Sequence, residues 1–224
     1  VVKNREAKGI AFRLRVPNLR IDQGEKIALI GESGSGKSTL LDMLAFILQP
    51  SAAGAFRFRP EEGKDPLDVG ICWQNDNLNV LGDMRKRHIG YVMQTGGLLP
   101  YLSVRDNINL SRRLLNLPDD DLVDILAKDL GIHGHLDKLP HLLSVGERQR
   151  VAIGRALAHR PAIVIADEPT ASLDPAAGED VMDLFFTLAR QEGVTVVFIS
   201  HNIEHALRYG DRVLGLADGQ LRLD

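Results

Sequence analysis

The sequence predicts an α/β fold with a mainly parallel core sheet, an N-terminal antiparallel β subdomain and a helical insertion. Three continuous apolar runs, at residues 26–30, 162–166 and 194–199, are typical of parallel strands that are buried on both faces. Helical spacing of apolar residues follows the first two runs, as expected when helices connect parallel strands. At residues 10–16 apolar and polar side chains alternate, which indicates a half-buried strand of a small antiparallel sheet.

The composition is that of an ordinary globular chain. With 224 residues, 44% hydrophobic and 25% charged, it can bury a sizeable core, and we expect a single domain over residues 1–224. The net charge of -3 does not suggest a nucleic-acid partner, and we expect none. Cys72 is the only cysteine, so the chain forms no internal disulfide and a reducing compartment is favoured. No apolar run reaches about 18 residues and no signal peptide is recognised, so we expect action at a membrane only through a docked partner.

Residues 31–39, which follow the first apolar run, fit the pattern G-x-x-x-x-G-K-[ST]. Glycines let this loop curl so that its N–H groups point inward, and a helix predicted over residues 37–48 adds its positive dipole end. Lys37 can reach the β and γ phosphates of a nucleotide, and the Ser38 hydroxyl is placed to bind Mg²⁺. The residues expected to bind the nucleotide are Gly31, Ser33, Gly34, Ser35, Gly36, Lys37, Ser38 and Thr39. The alternative is a turn with a surface lysine, which the flanking strand and helix disfavour.

Residues 50–88 are rich in proline and glycine, and we predict a hairpin and loops there, with a solvated helix end at residues 85–87. A strand follows over residues 89–93. Two successive helices are then predicted. Ser103 and Asp106 form a capping pair that opens the first, which runs to about Asn116, and the second runs from Pro118 and its three following aspartates to Gly131. They define a helical insertion at about residues 95–145.

Ser144 and Glu147 have the S-x-x-E spacing of a capping box, in which each residue satisfies a backbone N–H of the other. The simplest interpretation is a well-capped helix that continues to Arg160. His133, His135 and His141 lie nearby, but no acidic or cysteine partner stands at ligand spacing, so a metal site is not favoured there.

Asp167 and Glu168 come directly after the second apolar strand, and His201 follows the third. The carboxyl ends of parallel strands are where α/β sheets bind ligands. Asp167 therefore suits a direct or water-mediated Mg²⁺ contact, Glu168 suits activation of an attacking water, and His201 suits a phosphate contact. The alternatives are a strand-end ion pair for the acids and a structural histidine.

Taken in order, these motifs strongly resemble the nucleotide-binding subunit of ABC transporters over essentially the whole chain. The elements that carry the resemblance are the loop at 31–39, Gln94, Leu143-Ser144-Val145-Gly146-Glu147, residues 163–168, Ser172-Leu173-Asp174 and His201. The resemblance implies a P-loop NTPase fold of ABC ATPase architecture and hydrolysis of ATP with Mg²⁺. It also implies that Glu168, His201 and Gln94 are catalytic, that Ser38, Gln94 and Asp167 hold the metal, and that Asp174 contacts the nucleotide.

The resemblance further implies that ATP lies between two such subunits. Ser144 and Gly146 of one subunit would face the γ-phosphate held by the other, and we expect a homodimer. The family also implies an integral membrane permease subunit as partner, and hence a cytoplasmic location on the inner face of the membrane.

Two departures from the family pattern stand out. The signature usually reads Leu-Ser-Gly-Gly-Gln, whereas this chain has Val145 and Glu147 in place of a glycine and the glutamine. Glu147 keeps the capping geometry but adds a negative charge near an anion site, and Val145 restricts the backbone. The family also places an aromatic ring against adenine upstream of the phosphate loop, and Phe12 is the candidate here.

Within the family, residues 87–94, 98–104 and 166–170 look like the lipoprotein-releasing and macrolide-efflux subgroup. The chain ends soon after a predicted hairpin at Asp218-Gly219, so we expect no regulatory domain of the sugar-importer kind. Both features favour export or mechanical work on an envelope substrate.

Two rival functions remain open from the sequence. A non-transport ATPase of translation or DNA repair would carry two cassettes or a long coiled coil, and this sequence shows neither. A small-molecule kinase with the same loop would have no role for residues 143–147, Asp174 or His201.

Overall fold

A computed structural model describes residues 1–7, 10–118 and 120–223. The ten strands in the described residues are β1 Val2–Ala7, β2 Ile10–Arg15, β3 Lys26–Ile30, β4 Arg57–Phe58, β5 Leu67–Asp68, β6 Ile89–Val92, β7 Ile163–Ala166, β8 Thr195–Ile199, β9 Arg212–Ala217 and β10 Gln220–Leu223. The α-helices described are α1 Lys37–Leu44, α2 Val69–Gln74, α3 Leu78–His88, α4 Val104–Leu114, α5 Leu122–Asp129, α6 Val145–Leu157, α7 Pro175–Gln191 and α8 Ile203–Tyr209.

Eight of the strands form one sheet in the order β1-β2-β10-β9-β3-β8-β7-β6. Strands β9, β3, β8, β7 and β6 pair in parallel, whereas β1 pairs with β2 and β10 with β9 in antiparallel fashion. The α/β class with a mainly parallel core is confirmed. The antiparallel part is one edge of the same sheet, and it includes the C-terminal hairpin because the turn at Asp218-Gly219 sets β10 beside β2.

A hydrophobic layer covers each face of the sheet. Successive strand residues point to opposite faces, so Ile27 and Leu29 of β3 join one layer while Ala28 joins the other. Helices α1, α2 and α3 cover the first layer, around Phe46, and helices α4 to α8 cover the second, around Phe186. The loops at the carboxyl ends of the strands therefore stand on a rigid, two-sided core.

The prediction of a hairpin and loops at residues 50–88, with a helix end at residues 85–87, missed helix α2 and most of helix α3. The β4–β5 hairpin is present, but α2 and α3 follow it, and the Asp68 side chain caps α2 by accepting from the N–H of Ile71 at 3.0 Å. The prolines of the segment all lie in its first half, so they do not prevent helices in the second half. The basic run at residues 85–87 lies in the exposed last turn of α3, as predicted.

Helix α1 ends at Leu44, four residues earlier than predicted, because Phe46 adopts a left-handed backbone with φ 57°. The helices of the predicted insertion are present. Ser103 caps α4, and Gly131, at φ 65°, follows the end of α5; the predicted aspartate Asp119 lies outside the described residues. Among the helices described, none is long and apolar enough to cross a membrane.

Candidate active site

The glycine-rich loop connects β3 to α1 and depends on its glycines. Gly31, Gly34 and Gly36 have φ values of 149°, 81° and 106°, where side chains are strained. A Cβ on Gly31 would collide with the carbonyl oxygen of Leu216, and one on Gly36 would lie 2.5 Å from the Phe12 ring. The loop can therefore curl at these positions only without side chains.

Lys37, at the first position of α1, lies over this loop. Its Nζ donates to the carbonyl oxygens of Gly31 and Glu32, both at 2.8 Å, and the residue is only 6% exposed. Ser35 Oγ is buried without a hydrogen-bond partner among the described residues, and α1 has no side-chain cap at Gly36. A buried unpaired hydroxyl, an uncapped helix N-terminus and a confined ammonium group together fit an anionic phosphate chain.

A group of acidic side chains lies beside the start of α1. The Asp167 side chain is hydrogen-bonded with Ser38, and burial raises the pKa of the Asp167 carboxyl, to which the nearby Glu168 and Asp42 add. The Tyr91 hydroxyl donates to Asp42 Oδ1 at 3.2 Å, and burial raises the pKa of Tyr91. Excess negative charge next to a serine hydroxyl suits a hard divalent cation.

This acidic group is not a closed metal centre. In the described parts of the chain, no three His, Cys, Asp or Glu side chains are grouped so as to hold a metal ion. A cation at Ser38 and Asp167 would need further oxygen ligands from water and from phosphate. That donor set is the one Mg²⁺ prefers, because Mg²⁺ keeps several waters and binds through few protein carboxylates.

Glu168 and His201 form a close pair at the ends of β7 and β8. His201 Nε2 lies 2.6 Å from Glu168 Oε1, and the Glu168 side chain is 18% exposed. Glu168 also has φ 48°, a left-handed conformation that costs energy for a residue with a Cβ. Because β7, β8 and β3 are parallel, Glu168 and His201 follow their strands at the same edge of the sheet as the phosphate loop.

Strand register brings these groups together. Val92, which precedes Gln94 by two residues, pairs with Ala166, and Ala166 pairs with Phe198. Leu29 of β3 pairs with Ile199. The chain segments that carry Gln94, Asp167 and Glu168, His201 and the phosphate loop therefore leave the sheet at one level.

The Ser144 end of α6 has its own hydrogen bonds. Ser144 Oγ accepts from the N–H of Glu147 at 3.2 Å, and Glu147 Oε2 accepts from the N–H of Ser144 at 2.7 Å, so the predicted capping box is confirmed. Glu147 Oε1 lies 2.8 Å from His135 Nε2. The bond from the Ser144 backbone lowers the pKa of Glu147.

This end of α6 stands apart from the phosphate loop. Ser144 is exposed and Val145 is 43% exposed, while Gly146 faces the side chain of Leu173. No hydrogen bond in the described ranges joins Ser144 or Gly146 to residues 31–39. Within one chain, therefore, no described hydrogen bond joins the two phosphate-facing elements predicted from the sequence.

The remaining predicted residues lie around the same edge. Ser33, Gly34 and Gln94 are exposed, and Thr39 is buried in α1. Asp174 caps α7 by accepting from the N–H of Ala177 at 3.0 Å and lines a cavity of about 230 Å³ that Glu168 and His201 share.

The half-buried Phe12 ring packs against Gly36 and Gly219, which places it behind the phosphate loop. This position accounts for Phe12 as a packing residue of the loop. Its adenine contact stays a prediction.

Several residues near the site make contacts that the sequence interpretation missed. They are Asp42, Tyr91, His135, Gln149 and Arg155. Two of them carried a signal in the sequence, because Asp42 is an acid inside an apolar helix and Gln149 is a polar residue on the buried side of α6. The partners of the others are distant in sequence, so no local pattern marks them.

A parallel sheet with a glycine-rich phosphate loop after β3 and acids at the end of β7 is typical of the class of P-loop nucleotide-binding proteins. The sequence profile of the ABC transporter family matches residues 14–171. The chain belongs to this family: it is an ATP-binding subunit of an ABC transporter, and it binds and hydrolyses ATP.

Relatives of known name agree with this assignment. An uncharacterized ABC transporter ATP-binding protein, YbbA of Escherichia coli K12, is 39% identical over 207 residues, 91% of this chain and 86% of YbbA. The ATP-binding protein LolD of a lipoprotein-releasing system in Hyphomonas neptunium is 37% identical over 218 residues, 96% of this chain and 90% of LolD. The similarity to LolD agrees with the lipoprotein-releasing and macrolide-efflux subgroup predicted from the sequence.

The fold also matches a solved structure along its whole length. The dimeric post-hydrolysis structure of the ATP-binding cassette MJ0796 with ADP and Pi superposes with a TM-score of 0.82 at 30% identity, covering 100% of this chain and 96% of that one.

Proposed function

We propose that this chain hydrolyses ATP in a site made by two copies, with Mg²⁺, and thereby drives an integral membrane permease subunit. The observation that carries the proposal is the strand register, which gathers four of the predicted elements at one edge of the sheet. The Ser144 end of α6 remains exposed and separate from them.

Residues 31–39 bind the triphosphate through backbone N–H groups and the ammonium group of Lys37. When a nucleotide binds, Lys37 Nζ exchanges its hydrogen bonds to the carbonyl oxygens of Gly31 and Glu32 for bonds to phosphate oxygens. Ser38, Gln94 and Asp167 would hold Mg²⁺, which when bound would offset the negative charge of the triphosphate.

Glu168 takes the proton of the attacking water. Before ATP binds, its carboxylate lies 2.6 Å from His201 Nε2, and its backbone has φ 48°. His201, whose side chain is 53% exposed, can turn from this contact toward the γ-phosphate.

A second copy supplies Ser144 and Gly146. The α6 N-terminus carries a positive dipole end, and its cap leaves an exposed serine that can face a phosphate. MJ0796, which is similar over the whole chain, has been solved as a dimer, and this supports a homodimer here.

The membrane partner binds near Gln94 and the helices α4 and α5. The large exposed apolar side chains Met93 and Tyr101, at 47% and 73%, lie next to Gln94 and at the entrance to α4. With such a partner the chain sits on the cytoplasmic face of the membrane. Resemblance to LolD, and to the macrolide export protein MacB of Rhodopirellula baltica at 37% identity, favours export or work on an envelope substrate.

Glu168→Gln tests the mechanism directly. The variant should bind ATP with nearly unchanged affinity, lose turnover by about 100-fold or more, and accumulate an ATP-bound dimer in size-exclusion chromatography. Steady-state hydrolysis close to wild type would refute the role of Glu168. Co-purification from solubilised membranes then tests the permease, and recovery with ribosomes or DNA instead would contradict it.

A further inference from the structure

Helix α6 carries two features of the proposed site. It is capped by Ser144, and further along it bonds to the segment 93–97 that carries Gln94. Gln149 Nε2 donates to the carbonyl oxygen of Met93 at 3.2 Å, just before Gln94. Arg155 donates from its two terminal nitrogens to the carbonyl oxygens of Gly97 and Gly96, at 2.8 and 2.9 Å.

The backbone held by these bonds is unusual. Gly96 and Gly97 have φ values of 73° and 56°, so two successive residues adopt the left-handed conformation. A Cβ on Gly97 would lie 2.6 Å from the sulfur of Met93, so the chain folds tightly back on itself. Such a bend leaves two neighbouring carbonyls without regular partners, and Arg155 satisfies both.

Arg155 makes these bonds at a cost. The Arg155 side chain is part-buried, which lowers the pKa of its guanidinium, and among the described residues no acidic side chain pairs with it. Gln149 is 3% exposed, so its amide is almost fully removed from water. Removing a guanidinium and an amide from water is unfavourable unless hydrogen bonds compensate for it. These hydrogen bonds are therefore expected to matter to the fold or to the site.

We propose that Arg155 and Gln149 are positioning residues that set the path of segment 93–97 and so place the Gln94 side chain at the ATP site. Because both lie on the helix that begins at Ser144, α6 also connects Gln94 rigidly to the phosphate-facing end that a second copy uses. The inference rests on the role of Gln94 in the proposed function.

The test compares Arg155→Met and Arg155→Lys, with Arg150→Met as the matched control. Arg150 lies on the same helix, but its guanidinium reaches Leu130 O at 3.4 Å, away from segment 93–97. We expect Arg155→Met to lower kcat about tenfold while changing KM for ATP less than about twofold, since Lys37 and Ser38 still bind the nucleotide. Arg155→Lys should recover part of this loss, because an ammonium group can reach one of the two carbonyls. Arg150→Met should keep wild-type kcat.

Two further measurements distinguish positioning from general destabilisation. Amide hydrogen exchange should speed up at residues 94–98 in Arg155→Met but not in Arg150→Met. In a Gln94→Ala background, Arg155→Met should lower kcat by less than about twofold more, because both changes remove the same contribution. Should Arg155→Met fail to fold, Gln149→Met takes its place, with the same direction expected for kcat and exchange.

Unchanged exchange at residues 94–98, or losses in kcat that multiply with Gln94→Ala, would overturn the positioning role. A parallel rise in KM and fall in melting temperature would also overturn it, because that is the pattern of a purely structural arginine. Wild-type turnover of Gln94→Ala alone would instead refute the proposed role of Gln94, while the exchange data would still report on the Arg155 bonds.

Discussion

The phosphate loop and the Ser144 end of α6 both offer backbone N–H groups to a phosphate, yet the chain treats them differently. Lys37 in the loop is 6% exposed and bonded to its own loop, and Ser38 is hydrogen-bonded with Asp167. Ser144 is exposed, and its bonds stay within its own helical turn. The groups of the phosphate loop are therefore held by contacts with other parts of the same chain. The Ser144 end is held only by bonds within its own helical turn and stays exposed.

This difference indicates how the groups of one shared site are divided between two copies of the chain. A group that must hold the nucleotide before dimerisation needs partners in its own chain, and the loop has them. A group that meets the nucleotide only on dimerisation must be preformed without such partners, and a capping box achieves this with residues four positions apart or closer. Changes to either region should therefore damage one shared site in different ways.

Mixing two defective variants is the strongest test of whether the phosphate loop and the Ser144 end act from different copies in one shared site. Lys37→Ala and Ser144→Arg should each lose hydrolysis by about 100-fold or more, because each removes phosphate stabilisation from both sites of a homodimer. In an equal mixture, half of the dimers are mixed and carry one intact site. Activity should then recover to about a quarter of wild type, as measured by phosphate release.

A second mixture controls for this result. Lys37→Ala with Glu168→Gln places both defects in the region assembled within one chain, so a mixed dimer has no intact site. It should stay inactive. Equal activity in the two mixtures would show that Ser144 acts within its own chain.

Glu147→Gln tests whether the negative charge at the Ser144 end weakens ATP-dependent dimerisation. The amide can still accept from the N–H of Ser144, but the negative charge near the expected phosphate is gone. The ATP concentration for half-maximal dimerisation should fall about threefold, as expected for one partly screened charge. Light scattering against ATP concentration measures it.

Glu147→Ala separates this charge effect from capping. It removes the charge together with the bond that Glu147 Oε2 accepts from the N–H of Ser144, while the Ser144 cap itself remains, and one lost hydrogen bond costs about 1 kcal/mol of stability. We therefore expect a lower melting temperature for Glu147→Ala than for Glu147→Gln. If Glu147→Gln needs more ATP than wild type, the carboxylate assists binding and the electrostatic argument is wrong.

Val145→Gly should have the smallest effect. The side chain of Val145 projects, 43% exposed, beside Ser144 at the position where the family signature has glycine. Removing it should lower the ATP requirement for dimerisation about twofold, while the added backbone freedom lowers stability by about 0.5–1 kcal/mol.

Val145→Ala is the matched control, because it removes most of the bulk without freeing the backbone. A gain in Val145→Gly that is absent from Val145→Ala assigns the effect to backbone freedom. Weaker dimerisation in both variants would show that the valine side chain contributes to the interface.

The local features of this chain were predictable. The three buried strands, the phosphate loop, the Ser103 cap and the Ser144–Glu147 capping box depend on residues close in sequence, and the structure contains each of them. Helices α2 and α3, at residues 69–88, were missed because prediction relied on local patterns, and short helices with weak apolar periodicity leave little local signal.

By itself the sequence determined the phosphate loop, the identity of the strand-end acids and the family, because these follow from residue type and spacing. Only the tertiary structure decided which groups meet. Arg155 bonds to Gly96 and Gly97 across 59 and 58 residues, and His201 meets Glu168 only because β7 and β8 are neighbours in register. Such contacts depend on strand order and packing, and the physical preferences of neighbouring residues do not encode them individually.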